Sequence, residues 1–373
     1  MLLVRETDLT GMRIFCAMEA EPFPGNRLWH NNIVFALRDL GHEVILFDFA
    51  PLDEFYKHTN TSIPAHRRWI EAHRPALEKA LIAQIQTAHQ GAPVQVFLSY
   101  FYSAHCTRET IGAIRQMGIK TVNWYCNASY QMDLVAEIAP AYDLCLVPEK
   151  NRLDDYRRIG ARPLYCQEAA NPSFYRDLGL PRDLGVVFVG QNYATRSAFC
   201  RALFEAGLPI DVWGNNWGGI NRDWTAINLL RATQVEWKAW LGTPRLPRSA
   251  CHGFCTDQEM VSLYNRAKIA LGFGAVASAN FQKQPIYQVR LRDFEAPMCG
   301  TFYLTEHQEE LSEFFEIGRE IETFHTEAEL VDKARFYLTH DEAREKIRRA
   351  GHDRARRDHT WQKRLTWALG QVS

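Results

Sequence analysis

GVVFVGQNYATRSAFCRALFEAGLPIDVWG, residues 185–214, reads as one strand, a turn, a helix and a second strand. Val186–Val189 is an uninterrupted apolar run, as a strand covered on both faces requires. Gly190 ends that run, a polar turn follows, and Thr195 opens an amphipathic helix over 195–206 that leads to a strand at 209–213. Gly190 lets the chain turn close to a ligand, the helix start presents free backbone N–H groups, and Arg196 adds a fork-shaped cation at the same place. Together they suit a diphosphate. An ordinary turn glycine and a first-turn surface arginine account for the same residues, and the full GxGxxG pattern of an NAD-type site is missing.

Outward from this unit the same alternation continues in both directions. Upstream, strands at 13–18, 43–49, 94–98, 119–125 and 142–147 alternate with helices at 31–40, about 66–89 and 107–117, with Gly41 and Gly118 as helix stops. Downstream come helical material across 222–240, a helix at 257–266, a strand at 268–272, a helix at 291–298 and a strand at 301–304. Between the halves, EAANPSFYRDLGLPRDLG (168–185) interrupts both periodicities with Asn-Pro, two glycine turns and Pro181. The expectation is an α/β chain of two doubly wound domains facing one another across a cleft: residues 1–170, a linker at 171–184, and 185–350. Residues 326–369 read as helices with Gly351 as a stop, leaving 351–373 as a C-terminal helix that packs back on the first domain.

Length and composition agree. At 373 residues the chain holds two or three domains, and 46% hydrophobic with 23% charged residues is a globular composition. Lys and Arg (43) balance Asp and Glu (44), which excludes a chain-wide electrostatic footprint for nucleic acid or anionic membrane. Basic residues are dense from Arg344 to Arg364, but Glu345, Asp353 and Asp358 interleave, so a solvated helix face is favoured over a nucleic-acid surface. No apolar stretch is long enough for a membrane span, and the start MLLVRETDLTGMRIF is not a signal peptide, so the expected location is cytoplasmic. Nine scattered cysteines read as reduced core residues. Cys251 and Cys255 with His252 between them resemble half a metal site, without a second cluster to complete it.

A second concentration lies in NFQKQPIYQVRLRDFEAPMCGTFYLTE, residues 280–306. Lys283, Arg290 and Arg292 lead into a helix carrying Glu295, and Gly300 stops that helix before the next strand. Cations here would offset phosphate charge, and a carboxylate can accept two hydrogen bonds from vicinal ribose hydroxyls. A local ion pair between Arg292 and Glu295, three residues apart, explains that pair equally well.

With these residues in view the sequence resembles the group 1 glycosyltransferases of GT-B fold, in the branch named after the spore-maturation protein CgeB. The resemblance rests on FVGQNYATR, DVWGNNW, RLRDFEAPMCGTFYLTEH, EIETFHTEAELVDKARFYLTHDEAREKIRRAG and HTWQKR, and more loosely on PAYDLCLVPEKNRLDDYRRIGA and EAANP. It implies a Leloir-type hexosyl- or pentosyltransferase using a nucleoside diphosphate sugar of UDP type, with no further cofactor and no metal; the sequence shows no DxD. It also implies that Glu295 holds the donor's ribose, while Arg196 and Arg292, with Arg290, Lys283 and Gly190 around them, hold the diphosphate. The better-known members carry another Glu eight positions before Glu295, where this chain has Tyr287, and many have a glycine pair where this chain has Gly25 alone.

A general base would come from the loops of the first domain: Glu19 beyond strand 13–18, His30 at a helix start, or His105 beyond strand 94–98. Each also reads as an ordinary cap or surface residue. Asn127, closing another strand end, is a candidate sugar contact, and Trp29, Tyr100, Phe101, Tyr102 and Tyr125 suit stacking on sugar faces or core packing. The acceptor, whether glycan, protein, small molecule or modified nucleic acid, is not identified. Two other readings stand beside the transferase: a non-catalytic binding or assembly protein of the same fold, and a nucleic-acid-base glycosyltransferase.

Overall fold

A computed structural model describes residues 11–18, 26–48, 55, 58, 63–217, 246–276 and 286–372. The chain divides into two compact units, one formed by Met1–Phe174 with Thr360–Ser373 and the other by Tyr175–His359.

The first unit is a six-stranded parallel sheet. Its strands are β1 (Arg13–Ala17), β2 (Glu43–Leu46), β3 (Val96–Ser99), β4 (Lys120–Trp124), β5 (Leu144–Val147) and β6 (Pro163–Tyr165). Their spatial order is β2-β1-β3-β4-β5-β6, so the winding reverses between β1 and β3. The crossovers run through α1 (Phe35–Asp39), α2 (Pro64–Gly91), α3 (Arg108–Gln116), α4 (Ala128–Gln131) and α5 (Leu153–Arg158). Thr107 caps α3 by accepting from the Thr110 N–H, and Gly118 leaves it at φ +81°. The helix expected over 31–40 opens instead as a π-helical turn, His30–Val34, that runs into α1.

The second unit is also six-stranded and parallel: β7 (Leu184–Val189), β8 (Ile210–Trp213), β9 (Cys251–His252), β10 (Ala267–Gly272), β11 (Phe302–Glu306) and β12 (Glu322–Phe324), in the order β12-β11-β10-β7-β8-β9. The winding reverses between β7 and β10, so the carboxyl ends of these two strands flank the crevice where doubly wound sheets place ligands. Its helices are α6 (Arg196–Glu205), α7 (Asp257–Arg266), α8 (Leu291–Met298), α9 (Glu327–Thr339) and α10 (Asp341–Asp358). Phe188, Phe199, Phe273, Phe302, Phe324 and Leu330 share one core that joins β7, β10, β11 and β12 to α6 and α9. Strands β6, β9 and β12 carry no readable signal, having only three, two and three residues. The helical material expected over 222–240 lies outside the described residues.

Gly351 does not stop a helix. It sits inside α10, which continues to Asp358, and a Cβ there would run into the backbone carbonyl of Glu320. The residue is small because the helix lies directly on another segment's backbone. The break comes at His359, whose ring Nε2 lies 2.7 Å from the Phe314 carbonyl oxygen, and Thr360 then caps α11 (Trp361–Gly370) through the Lys363 N–H. Helix 351–373 is therefore two segments, of which the first belongs to the second unit and α11 to the first. There Trp361 is fully buried, its ring 5.1 Å from Trp124 and 6.3 Å from Trp29, edge-on to both.

Gly351→Ala should destabilise the second unit by about 1–3 kcal/mol through overpacking. That is a fall in melting temperature of several degrees for a unit of this size, measured by calorimetry. An unchanged melting temperature would mean that α10 can step back from Glu320 at no cost.

Candidate functional site at the carboxyl ends of β7 and β10

At the end of β7 the chain turns at Gly190, whose φ is +155° and whose N–H donates to the Trp213 carbonyl at 2.8 Å. Its own carbonyl accepts from the indole N–H of Trp217 at 2.7 Å. Gly214, at φ +131°, packs on the Gly190 backbone so closely that a Cβ there would meet the Gly190 carbonyl. Ala194 then takes the left-handed conformation, φ 52°, before α6 begins. A non-glycine residue there costs of order 1 kcal/mol, and the surrounding turn must hold it.

That turn fixes Arg196. Only 3% exposed, its guanidinium donates to the Gln191 carbonyl at 2.8 Å and to the Tyr193 hydroxyl at 2.6 Å, and stacks 3.6 Å from the Tyr193 ring centre. Thr195 makes no side-chain cap, and the first turn of α6 closes on backbone instead, the Arg196 N–H donating to the Tyr193 carbonyl at 3.3 Å and the Ala198 N–H to that of Thr195 at 3.0 Å. Arg292 arrives from the first turn of α8, and both guanidiniums lie over the Phe188 ring, at 5.3 Å for Arg196 and 4.9 Å for Arg292. A Cβ on Gly190 would stand 2.7 Å from an Arg292 Nη. Gly190 is thus the space that admits Arg292. The Nε atoms of both arginines are buried without a hydrogen-bond partner. Among the described residues neither makes an ion pair, so the pair read between Arg292 and Glu295 is not formed.

The two guanidiniums respond differently: although burial opposes it, Tyr264, Tyr303, Tyr193 and Glu295 raise the Arg292 pKa. Burial foremost, with Arg292 and Arg290 adding to it and Tyr193 opposing, pulls the Arg196 guanidinium down to about 10. An anion entering here would relieve both the desolvation and the repulsion. Asp293, which the sequence reading passed over, is the anchor that aims α8. It is buried, accepts from the Arg290 N–H at 2.7 Å and from the Tyr303 hydroxyl at 2.5 Å, and so ties the helix start to β11. The D of RLRDFE, three residues after the capping Arg290, is the signal that could have found it.

Glu295 lies on the inner side of α8 and is 4% exposed. Its charge is felt by Tyr264, Arg292 and Cys299, so it shares the arginines' neighbourhood from within the fold. The second unit therefore brings Gly190, Arg196, Arg290, Arg292 and Glu295 to one end of the sheet. Lys283 lies outside the described residues. His252, read with Cys251 and Cys255, has its Nε2 2.8 Å from Asp211 Oδ1 and its ring stacked on Trp213 at 4.3 Å. Several cations of the basic stretch are likewise engaged in the fold: Arg344 donates to the Tyr337 carbonyl, Arg348 to that of Gly300, and Arg354 to that of Phe314.

In the first unit Glu19 and Gly25 lie outside the described residues. His30 Nδ1 is 3.2 Å from Arg27, and burial, helped by the Arg27 and Arg38 charges, lowers its pKa to about 4. His105 is buried, accepts from the Tyr102 N–H at 2.9 Å, and stacks on Phe101 and Tyr102 with ring centres 5.0 and 5.1 Å away. Its surroundings make it a core ring, and burial lowers it to about 4. Asn127 spends its amide on Tyr100 and Tyr130, donating to the first at 3.3 Å and accepting from the second at 2.7 Å.

Both histidines stay neutral in the folded unit where the unfolded chain, with a reference value of 6.5, takes up protons. Stability should therefore fall as pH drops through 6.5 toward 4, on the order of 2 kcal/mol for His105 between pH 6.5 and 5. Urea midpoints at pH 7 and pH 5 check this, with His105→Gln expected to shrink the difference. Equal midpoints in the unmodified protein would contradict the burial assigned to these rings.

Residues 196–370 match the family model described as Glycosyl transferase-like. No curated protein matches the chain in sequence. Among solved structures, sucrose-phosphate synthase from Thermosynechococcus elongatus superposes with a TM-score of 0.60 at 13% identity, covering 97% of this chain and 98% of that one. HepE of Anabaena in complex with UDP and glucose gives 0.54 at 12% identity over 97% and 100% of the two chains. A glycosyltransferase from Rickettsia africae gives 0.54 at 10% identity over 98% of each. The chain thus has the two-unit α/β fold of these enzymes, GT-B in class, and its residues 196–370 are glycosyl transferase-like.

Proposed function

We propose that the protein is a Leloir-type glycosyltransferase of the CgeB-like branch, moving a hexose or pentose from a UDP-type sugar nucleotide to an acceptor hydroxyl without a metal ion. The second unit would hold the nucleotide and the first would serve the acceptor. The observation that carries this reading is the meeting of Arg196 and Arg292 over Phe188 beside Gly190, at the winding reversal of the second sheet. Two cations, one buried and one half-buried, that form no salt bridge among the described residues suit an anion, and a glycine gives it backbone-close access. HepE, crystallised with UDP and with UDP-glucose, has the same fold.

In the transfer, the acceptor oxygen forms a bond to the anomeric carbon as the bond from that carbon to the diphosphate oxygen breaks, and the acceptor proton leaves to a base or to water. Charge develops on the departing diphosphate, where Arg196 and Arg292, with the positive end of the α6 dipole, would stabilise it. The guanidiniums are fixed by Gln191, Tyr193 and Phe188 before substrate arrives, so little reorganisation accompanies the chemistry. They meet the diphosphate charge that a bound cation meets in other sites. Glu295 would accept hydrogen bonds from the ribose hydroxyls. No helix among the described residues is long and apolar enough to cross a membrane, and we place the reaction in the cytoplasm.

Titration calorimetry with UDP tests the reading: the protein should bind it, and Glu295→Ala should weaken binding by about 1.5–3 kcal/mol if its carboxylate accepts charge-assisted ribose bonds. Arg196→Met should lower turnover of UDP-sugars at least tenfold, a loss of about 1.4 kcal/mol or more in transition-state stabilisation, while the melting temperature moves little. A folded Glu295→Ala protein with undiminished UDP affinity would remove that residue from the site. Absence of UDP, GDP and dTDP binding in the unmodified protein would favour a non-catalytic role.

A further inference from the structure

β11 ends at Glu306, next to the end of β10, and the side chains there make a polar cluster beside the guanidinium group. Glu306 is 5% exposed, and its Oε2 accepts from the Ala275 N–H at 3.2 Å. The segment after the undescribed stretch folds back over this place, with Tyr287 bridged antiparallel to Ala275 and the Gln288 N–H donating to the Gly274 carbonyl at 3.0 Å. Tyr287 is 44% exposed and its hydroxyl is hydrogen-bonded to Glu306. Gly274 brings them together: a Cβ there would stand in ordinary contact, 3.5 Å, with both the Gln308 carboxamide carbon and the Tyr287 ring.

Gln308 is the second, independent observation. It is 8% exposed, and its Nε2 is buried with no hydrogen-bond partner. A buried amide donor left unpaired destabilises the fold, and a ligand oxygen would satisfy it. Around Gly274 the protein thus offers a carboxylate acceptor, an unused amide donor and an accessible aromatic ring with a hydroxyl, all within reach of one small polyhydroxyl ligand. Arg196 is close enough for its charge to act on Glu306.

We infer that Glu306, Gln308 and Tyr287 form the subsite for the sugar portion of the donor and select an uncharged, hydroxyl-rich sugar over one bearing a carboxylate. The inference rests on the nucleotide-sugar reading of the neighbouring arginines. The charges divide the work: the arginines draw the diphosphate, whereas a buried carboxylate repels any anion, so what lies against Glu306 must be neutral. Hydroxyls satisfy this acceptor, the Gln308 Nε2–H needs an oxygen in return, and the Tyr287 ring can cover an apolar sugar face.

Calorimetry with UDP, UDP-glucose, UDP-galactose, UDP-N-acetylglucosamine and UDP-glucuronic acid tests it on the full chain. The unmodified protein should bind at least one neutral UDP-sugar tenfold or more tightly than UDP-glucuronic acid. Glu306→Gln, which keeps an acceptor for Ala275, should leave UDP affinity within about twofold, weaken that neutral sugar nucleotide roughly tenfold and narrow the discrimination against the glucuronic acid compound. Gln308→Leu, of similar size, should weaken the same compound severalfold with UDP again unchanged, and it serves if the first variant does not fold. Equal binding of neutral and acidic sugars, or parallel losses for UDP and UDP-sugar in the variants, overturns the subsite while the nucleotide reading stands. Failure of the unmodified protein to bind UDP or any of these compounds overturns both.

Discussion

Two guanidiniums share the face of one phenylalanine, and much of the second unit is arranged to make that tolerable. Like charges at this spacing repel, and burial deprives them of water. Phe188 offers its ring to both, Tyr193 and the Gln191 carbonyl take the Arg196 donors, and Asp293 holds the start of the helix that delivers Arg292. Each of these partners is neutral or occupied elsewhere. No carboxylate pairs with Arg196 or Arg292 among the described residues, so the cationic character survives folding. The Nε atoms of both arginines are left without a partner.

The parallel sheet is what makes the crowding local. Because every strand of the unit runs the same way, the turns after β7, β10 and β11 all emerge on one edge, and the reversal of winding keeps the crossover helices from covering the gap between β7 and β10. Gly190, Gly214, Gly272 and Gly274 stand at the ends of β7, β8 and β10, where larger residues would meet neighbouring backbone or side chains. The first unit uses the same architecture to a different end. Behind its strand ends lie rings, Tyr100 and Tyr102 with their hydroxyls 3.5 Å apart, Tyr125, Trp29 and the stacked His105, and the Asn127 amide joins Tyr100 to Tyr130.

What the sequence made legible follows the range of the interactions. Buried strands such as Val186–Val189 and the helix 291–298 were readable because apolar runs and turn residues are local signals, and α8 appears over the expected residues. Arg196 and Arg292 were readable as cations near strand ends, although nothing local foretold that one ring would lie under both. Asp293, Gln308 and Glu306 were missed because their importance comes from partners on other strands. Gly351 was misread for the same reason: a glycine late in a helical pattern resembles a stop, and only the passing Glu320 carbonyl shows why it is there. The alternative ion pair of Arg292 with Glu295 was excluded by geometry that spacing alone cannot supply. Glu19, Lys283 and the 222–240 segment fall outside the described residues.

The tryptophan at the head of the last helix has an implication for how the chain is made. Trp361 completes the aromatic interior formed by Trp29 and Trp124, yet it leaves the ribosome after every residue of the second unit. The unit begun first is therefore finished last, and during synthesis it must wait with an open indole-sized vacancy while its neighbour in sequence can already close. Nascent chains arrested before residue 360 would contain every residue of the second unit while still lacking the Trp361 that fills the first.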